Sequence, residues 1–190
     1  NPNTYLPSFI YAQTMKKAII LTEEHLDQSA AKTTHGLLRH SHKYDIVGII
    51  DSKFADKKTD EVIHKVKSVP IYEDVKTVLD KHDIETLIVG VATIGGYLPE
   101  SFKNHIKDAI ENGIDIVSGL HHYLGEDPEF SNLAEKYDVE ITDIRKSPPL
   151  DKLHYFQNKK KDIDALTIPF LGTDSSIGKR TALLEVYDVL

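Results

Sequence analysis

Apolar positions along the chain fall into two rhythms. Ala18–Leu21 is a short uninterrupted apolar run, the signature of a buried strand, and Ser29–His40 carries Ala30, Leu37 and Leu38 among polar residues, which predicts a helix. Tyr44–Ile50 predicts the next strand, ending at Asp51, and the charged stretch Lys53–Lys58 predicts a loop. Val69–Ile71 reads as a short strand, and Glu73–Lys81 as a helix with Val75, Val78 and Leu79 at helical spacing. Thr86–Val91 is the clearest strand. Pro99 stands where a first helical turn begins, Phe102, Ile106, Ala109 and Ile110 form an apolar helix face, and Gly113 is placed to end that helix. Ile114–Val117 predicts a strand, Phe130–Tyr137 a helix and Val139–Ile141 a strand. Strands alternating with helices predict an α/β fold, a mostly parallel sheet covered on both faces. Such sheets hold ligands at the carboxyl ends of their strands.

This pattern changes twice. Residues 1–15 are a polar-aromatic lead-in containing Pro2 and Pro7, and the ordered pattern runs over 16–146. Residues 147–161, with Ser147-Pro148-Pro149 and Lys159-Lys160-Lys161, read as a linker. A new strand is predicted over Ala165–Leu171, so residues 162–190 read as the truncated start of a second domain. The first residue is not Met, and the chain ends soon after that strand, so further residues are expected at both ends.

Composition narrows the function. A net charge of −7, from 23 basic and 30 acidic residues, argues against a nucleic-acid partner, which asks for a basic face. Cysteine is absent, which removes disulfides, thiolate metal sites and a cysteine nucleophile, and fits a cytoplasmic protein. No apolar run reaches the length of a membrane span, and no charged leader precedes an apolar stretch, so neither membrane nor secretion is expected.

The most informative stretch is Gly172-Thr173-Asp174-Ser175-Ser176-Ile177-Gly178-Lys179-Arg180-Thr181, which follows the predicted strand directly. Strand, glycine-containing loop and Gly-Lys opening a helix is the layout of a phosphate-binding loop. Glycines let backbone N–H groups converge on phosphate oxygens, the helix N-terminus adds partial positive charge, and Lys179 supplies a point charge. Gly172, Thr173, Asp174, Ser175, Ser176, Gly178, Lys179, Arg180 and Thr181 are therefore the candidate cofactor-binding residues. Two departures stand out. Five residues separate Gly172 from Gly178 where the usual loop has four, and Arg180 follows the lysine where the usual loop has a Mg²⁺-binding hydroxyl. Thr181 sits one residue on, about 100° around a helix, where it meets an inner phosphate rather than the metal.

That loop resembles the one in the D-glutamate N-acetyltransferase-like family, long filed as a domain of unknown function. The resemblance extends through Asp51 after a strand, Val69-Pro70-Ile71-Tyr72, Gly95-Gly96-Tyr97-Leu98-Pro99, Ser118-Gly119-Leu120-His121-His122-Tyr123-Leu124 and Asp143-Ile144-Arg145-Lys146-Ser147-Pro148, in the same order. It covers about residues 16–190 and implies a Rossmann-like domain joined to a P-loop domain. It also implies an enzyme of D-amino-acid metabolism, transferring an acetyl group from acetyl-CoA to the amino group of a D-amino acid such as D-glutamate. The diphosphate of acetyl-CoA suits a loop without the usual metal hydroxyl. The opening Gly-Thr-Asp also resembles dethiobiotin synthetase, which makes an ATP-dependent ligase or kinase using Mg²⁺ the alternative. A non-catalytic nucleotide-binding module is the third reading.

The remaining candidates follow the strand ends. His121 or His122, just after a predicted strand, could deprotonate an amine before acyl transfer. Gly95 and Gly96 would allow a ligand to approach backbone, or form only a tight turn. Ser118, Gly119 and Arg145 complete the expected substrate site, Arg145 as a fork for a carboxylate or else as a surface ion pair. His121, His122, Glu126 and Asp127 cluster, but not at a known metal-ligand spacing, so no metal is expected. Asp51 occupies the position of a ribose-binding carboxylate, yet the segment from Thr22 to Ala31 contains no glycine. The dinucleotide fingerprint is thus missing, which argues against NAD in the usual mode. The open apolar side of 165–171 asks for a partner, hence the expectation of a homo-oligomer or of further chain.

Overall fold

Six strands form one parallel sheet: β1 (Lys16–Leu21), β2 (Tyr44–Ile50), β3 (Ile71–Tyr72), β4 (Thr86–Val89), β5 (Asp115–Ser118) and β6 (Ile141–Asp143). Their spatial order is β3-β2-β1-β4-β5-β6, the order of a doubly wound Rossmann-like sheet. The structure, a computed structural model, describes residues 15–174 and 177–189. The chain divides into two compact units, one ending at Lys146 and the other starting at Ser147.

In the first unit, helices α1 (Lys32–His40), α2 (Thr59–Val62), α3 (Val75–Leu79), α4 (Glu100–Glu111) and α5 (Pro128–Tyr137) connect the strands. Strand alternation sorts the core. Ile19 and Leu21 of β1 join Leu87, Val89 and Ile116 in a cluster with α3, α4 and α5, built on the fully buried Phe102 and Phe130. Ala18 and Ile20 face the other way, toward Leu38 of α1 with Ile46, Ile49, Ile88 and Val117. Ile46 and Ile49 are three residues apart yet share a cluster. The register explains it: Ala18 pairs with Ile46 and Ile19 with Gly48, so a bulge at Val47 resets the alternation.

Most predicted elements fall within a few residues of the observed ones. The short α2 went unpredicted. Its start is marked by Glu61, whose Oε1 accepts the Lys58 N–H at 3.0 Å. Pro99 is the N-cap of α4 rather than its first residue, and Gly113 takes φ 74° just beyond the helix end.

The second unit corrects one expectation. No strand forms over 165–171 among the described residues; the segment has no regular secondary structure and no ladder neighbour. A lone strand leaves its N–H and C=O groups without partners, and Leu166, Ile168 and Leu171 are all exposed. The helix predicted after the loop is present as α6 (Lys179–Tyr187). Among the described residues no helix is long and apolar enough to cross a membrane. The lead-in expected over 1–15 lies outside the described residues except for Met15.

Candidate functional site

The carboxyl ends of β4, β5 and β6 bring several of the expected residues together. After β4 the chain makes a 3-10 turn, Ile94–Gly96, in which Gly95 and Gly96 take φ 76° and 70°. The Gly96 carbonyl accepts the N–H groups of His121 (3.0 Å) and His122 (3.1 Å), which follow β5. A side chain at Gly96 would put Cβ 2.5 Å from the His121 ring, so glycine is needed for the close approach as well as the turn. Thr93 Oγ1 closes the loop by donating to the Tyr97 carbonyl at 2.6 Å, leaving the Tyr97 ring exposed at the rim.

After β6, Arg145 Nε donates to the Gly119 carbonyl at 2.6 Å, tying the β6 and β5 loops together. Asp143 at the end of β6 accepts the N–H groups of Leu124 (3.0 Å) and Gly125 (2.9 Å), holding the 3-10 turn Leu124–Glu126 in place. Ser118 is fully buried and its hydroxyl accepts the Leu120 N–H at 3.3 Å, so it shapes the loop from inside. Beside these loops lies an apolar groove of about 120 Å³, lined by Leu37, Tyr44, Ile88, Val117, Ile144 and Arg145 among others.

Two pairings were not read from the sequence. His122 Nε2 lies 2.9 Å from Asp127 Oδ2. Asp127 also caps α5, its Oδ1 accepting the Glu129 N–H at 2.9 Å. The Asp-Pro step that opens α5 is a helix-start signal that points to this cap. Across the sheet, Glu23 is buried, accepts from the Ser52 hydroxyl at 2.7 Å and lies 3.6 Å from His105 Nε2; no sequence pattern flags it.

The position of a dinucleotide diphosphate is occupied differently. The loop after β1 carries Glu23 and Glu24, both at positive φ, in place of glycines. Carboxylates there oppose a diphosphate. Asp51 is fully buried, and its Oδ2 accepts from Thr22 Oγ1 (2.9 Å) and the Leu26 N–H (3.1 Å). It staples the β1 loop instead of facing a ribose. Its Oδ1 has no partner among the described residues.

In the second unit, Gly178 at φ 91° turns the chain into α6, and Lys179 Nζ donates to the Asp174 carbonyl. A Cβ on Gly172 would lie 2.5 Å from the Ile177 side chain and 2.9 Å from that of Lys179, so the loop folds closely on itself. Thr173, Arg180 and Thr181 are exposed; Ser175 and Ser176 lie outside the described residues.

Residues 52–147 match the Rossmann-like domain of unknown function DUF1611_N. Over 102 residues the chain is 38% identical to a D-glutamate N-acetyltransferase of Pseudoalteromonas sp, covering 54% of this chain and 30% of that protein. Over 106 residues it is 32% identical to a D-glutamate N-acetyltransferase of Tritonibacter scottomollicae, covering 54% and 29%. It aligns with the crystal structure of a DUF1611 family protein from Anabaena variabilis at a TM-score of 0.80 and 29% identity, over 92% of this chain and 49% of that one. The aligned stretches span less than a third of the two curated relatives and about half of the solved structure.

Proposed function

The chain belongs to the DUF1611_N family of Rossmann-like domains, and from that premise we propose that it serves an N-acetyltransferase acting on a D-amino acid, D-glutamate or a close analogue. The observation that carries this reading is the tying together of the β4, β5 and β6 loops at the carboxyl edge of the sheet, where the Gly96 carbonyl accepts the N–H groups of His121 and His122 and the Gly119 carbonyl accepts from Arg145. That edge offers a base and a carboxylate fork to a substrate that has both an amine and carboxylates. The names of the two relatives, at 38% and 32% identity, support the same substrate class.

Acetyl-CoA, when bound, supplies the acetyl group as a thioester. The parts of the chain divide the remaining work. Gly172, Gly178 and Lys179 with the first turn of α6 would hold its diphosphate, a role that needs no Mg²⁺ hydroxyl after the lysine. Arg145 orients a substrate carboxylate, and a histidine of the His121–His122 pair takes the amine proton.

Calorimetry on the full-length protein tests this. Acetyl-CoA is expected to bind without Mg²⁺, and Lys179→Ala is expected to weaken it by about tenfold or more, the loss of a charge-assisted contact. Mg²⁺-dependent ATP binding with no acetyl-CoA signal would overturn the reading and favour an ATP-dependent ligase or kinase.

A further inference from the structure

We propose that His122 is the base of the pair and that Asp127 is its positioning residue, which selects the ring nitrogen that takes the proton. This rests on the acyl-transfer reading above. The carboxylate of Asp127 is fixed at both oxygens: Oδ1 by the Glu129 N–H at 2.9 Å, Oδ2 by His122 Nε2 at 2.9 Å. Asp127 is itself immobilised as the N-cap of α5, with Pro128 at the first helical position. On the other side, the His122 backbone is held by the Gly96 carbonyl at 3.1 Å, and the intervening Leu124–Glu126 turn is held by Asp143. His122 is thus held at its backbone N–H and at ring Nε2, and both members of the pair are only partly exposed, 32% and 21%.

An ionised carboxylate can only accept, so Nε2 carries the proton and Nδ1 keeps its lone pair. In acyl transfer, Nδ1 accepts the proton released as the amine nitrogen bonds to the acyl carbon. The C–S bond breaks, the electron pair leaves with sulfur, and the proton passes to the thiolate. His121 differs: its ring packs on Gly96.

Asp127→Asn separates this from a merely structural role. Asn caps helices as well as Asp does, and its carbonyl keeps the Glu129 N–H. Its NH₂ then faces His122 Nε2, which must become an acceptor, so the ring proton moves to Nδ1 and the base is lost. In the full-length enzyme, kcat is expected to fall by about 10²-fold or more with KM and Tm held. Independently of turnover, ¹⁵N–¹H correlation spectra of the His122 ring, assigned with His122→Gln, are expected to show an Nε2–H tautomer in the wild type and Nδ1–H in Asp127→Asn. An acetylating enzyme whose kcat survives Asp127→Asn, or a ring already Nδ1–H in the wild type, overturns the proposal. A wild-type protein that transfers no acetyl group overturns the functional reading instead, and the base role with it; the tautomer spectra still decide whether Asp127 sets the ring.

Discussion

Gly90 shows how much one atom decides at the end of β4. Its carbonyl accepts from the Thr34 hydroxyl at 2.8 Å and the Thr34 N–H at 3.3 Å, which docks the first turn of α1 onto the sheet. A Cβ at this position would sit 2.1 Å from Thr34 Oγ1 and 2.2 Å from Ile20 Cγ2. Neither neighbour can withdraw without opening the helix–sheet contact. Gly90→Ala is therefore expected to destabilise the fold by about 1–3 kcal/mol, as overpacking does, read as a lower midpoint in urea. The sequence shows a glycine interrupting an apolar run but not the Thr34 side chain above it. Asp51 makes the same point differently. Its place at the end of β2 was legible, while its inward turn toward Thr22 and Leu26 follows from packing of a glycine-free loop.

At the scale of single elements, caps and turns set where helices start. α3 is only five residues long and depends on Asp74, whose Oδ1 accepts the Thr77 N–H at 2.8 Å. That backbone bond holds the Asp74 carboxyl below the usual carboxylate range against the opposing effect of burial. A depressed native pKa means the stabilisation is present above the unfolded-chain value of about 3.9 and is lost as pH falls through the native value. Asp74→Ala should thus cost about 1 kcal/mol at neutral pH. The gap between variant and wild type should close in acid, which denaturant titrations across the pH range check. The strands and long helices were legible because their hydrophobic faces repeat. The short α2 and the 3-10 turns were not, since each is set by one or two local hydrogen bonds that leave no periodic trace.

Across the whole molecule, the two units differ in how their backbone is satisfied. Ala18–Leu21 of β1 and all of β4 lie at the centre of the sheet, laddered on both sides and buried on both faces. The segment 163–174 has no ladder neighbour among the described residues. In this chain, amides of β1 and β4 are expected to exchange with solvent only on global unfolding, and those of 163–174 to exchange orders of magnitude faster, measurable by hydrogen-exchange mass spectrometry. The hydrophobic rhythm determined the α/β class and the strands and longer helices between Lys16 and Asp143, because each depends on residues near in sequence. It also pointed to Gly96, His121, His122 and Arg145, since strand ends can be counted along the chain. Only the tertiary structure decided the order β3-β2-β1-β4-β5-β6, the seating of both histidines on Gly96 and the pairing of His122 with Asp127. Those depend on which strand ends become neighbours and how the loops between them settle, and neither is written in local periodicity.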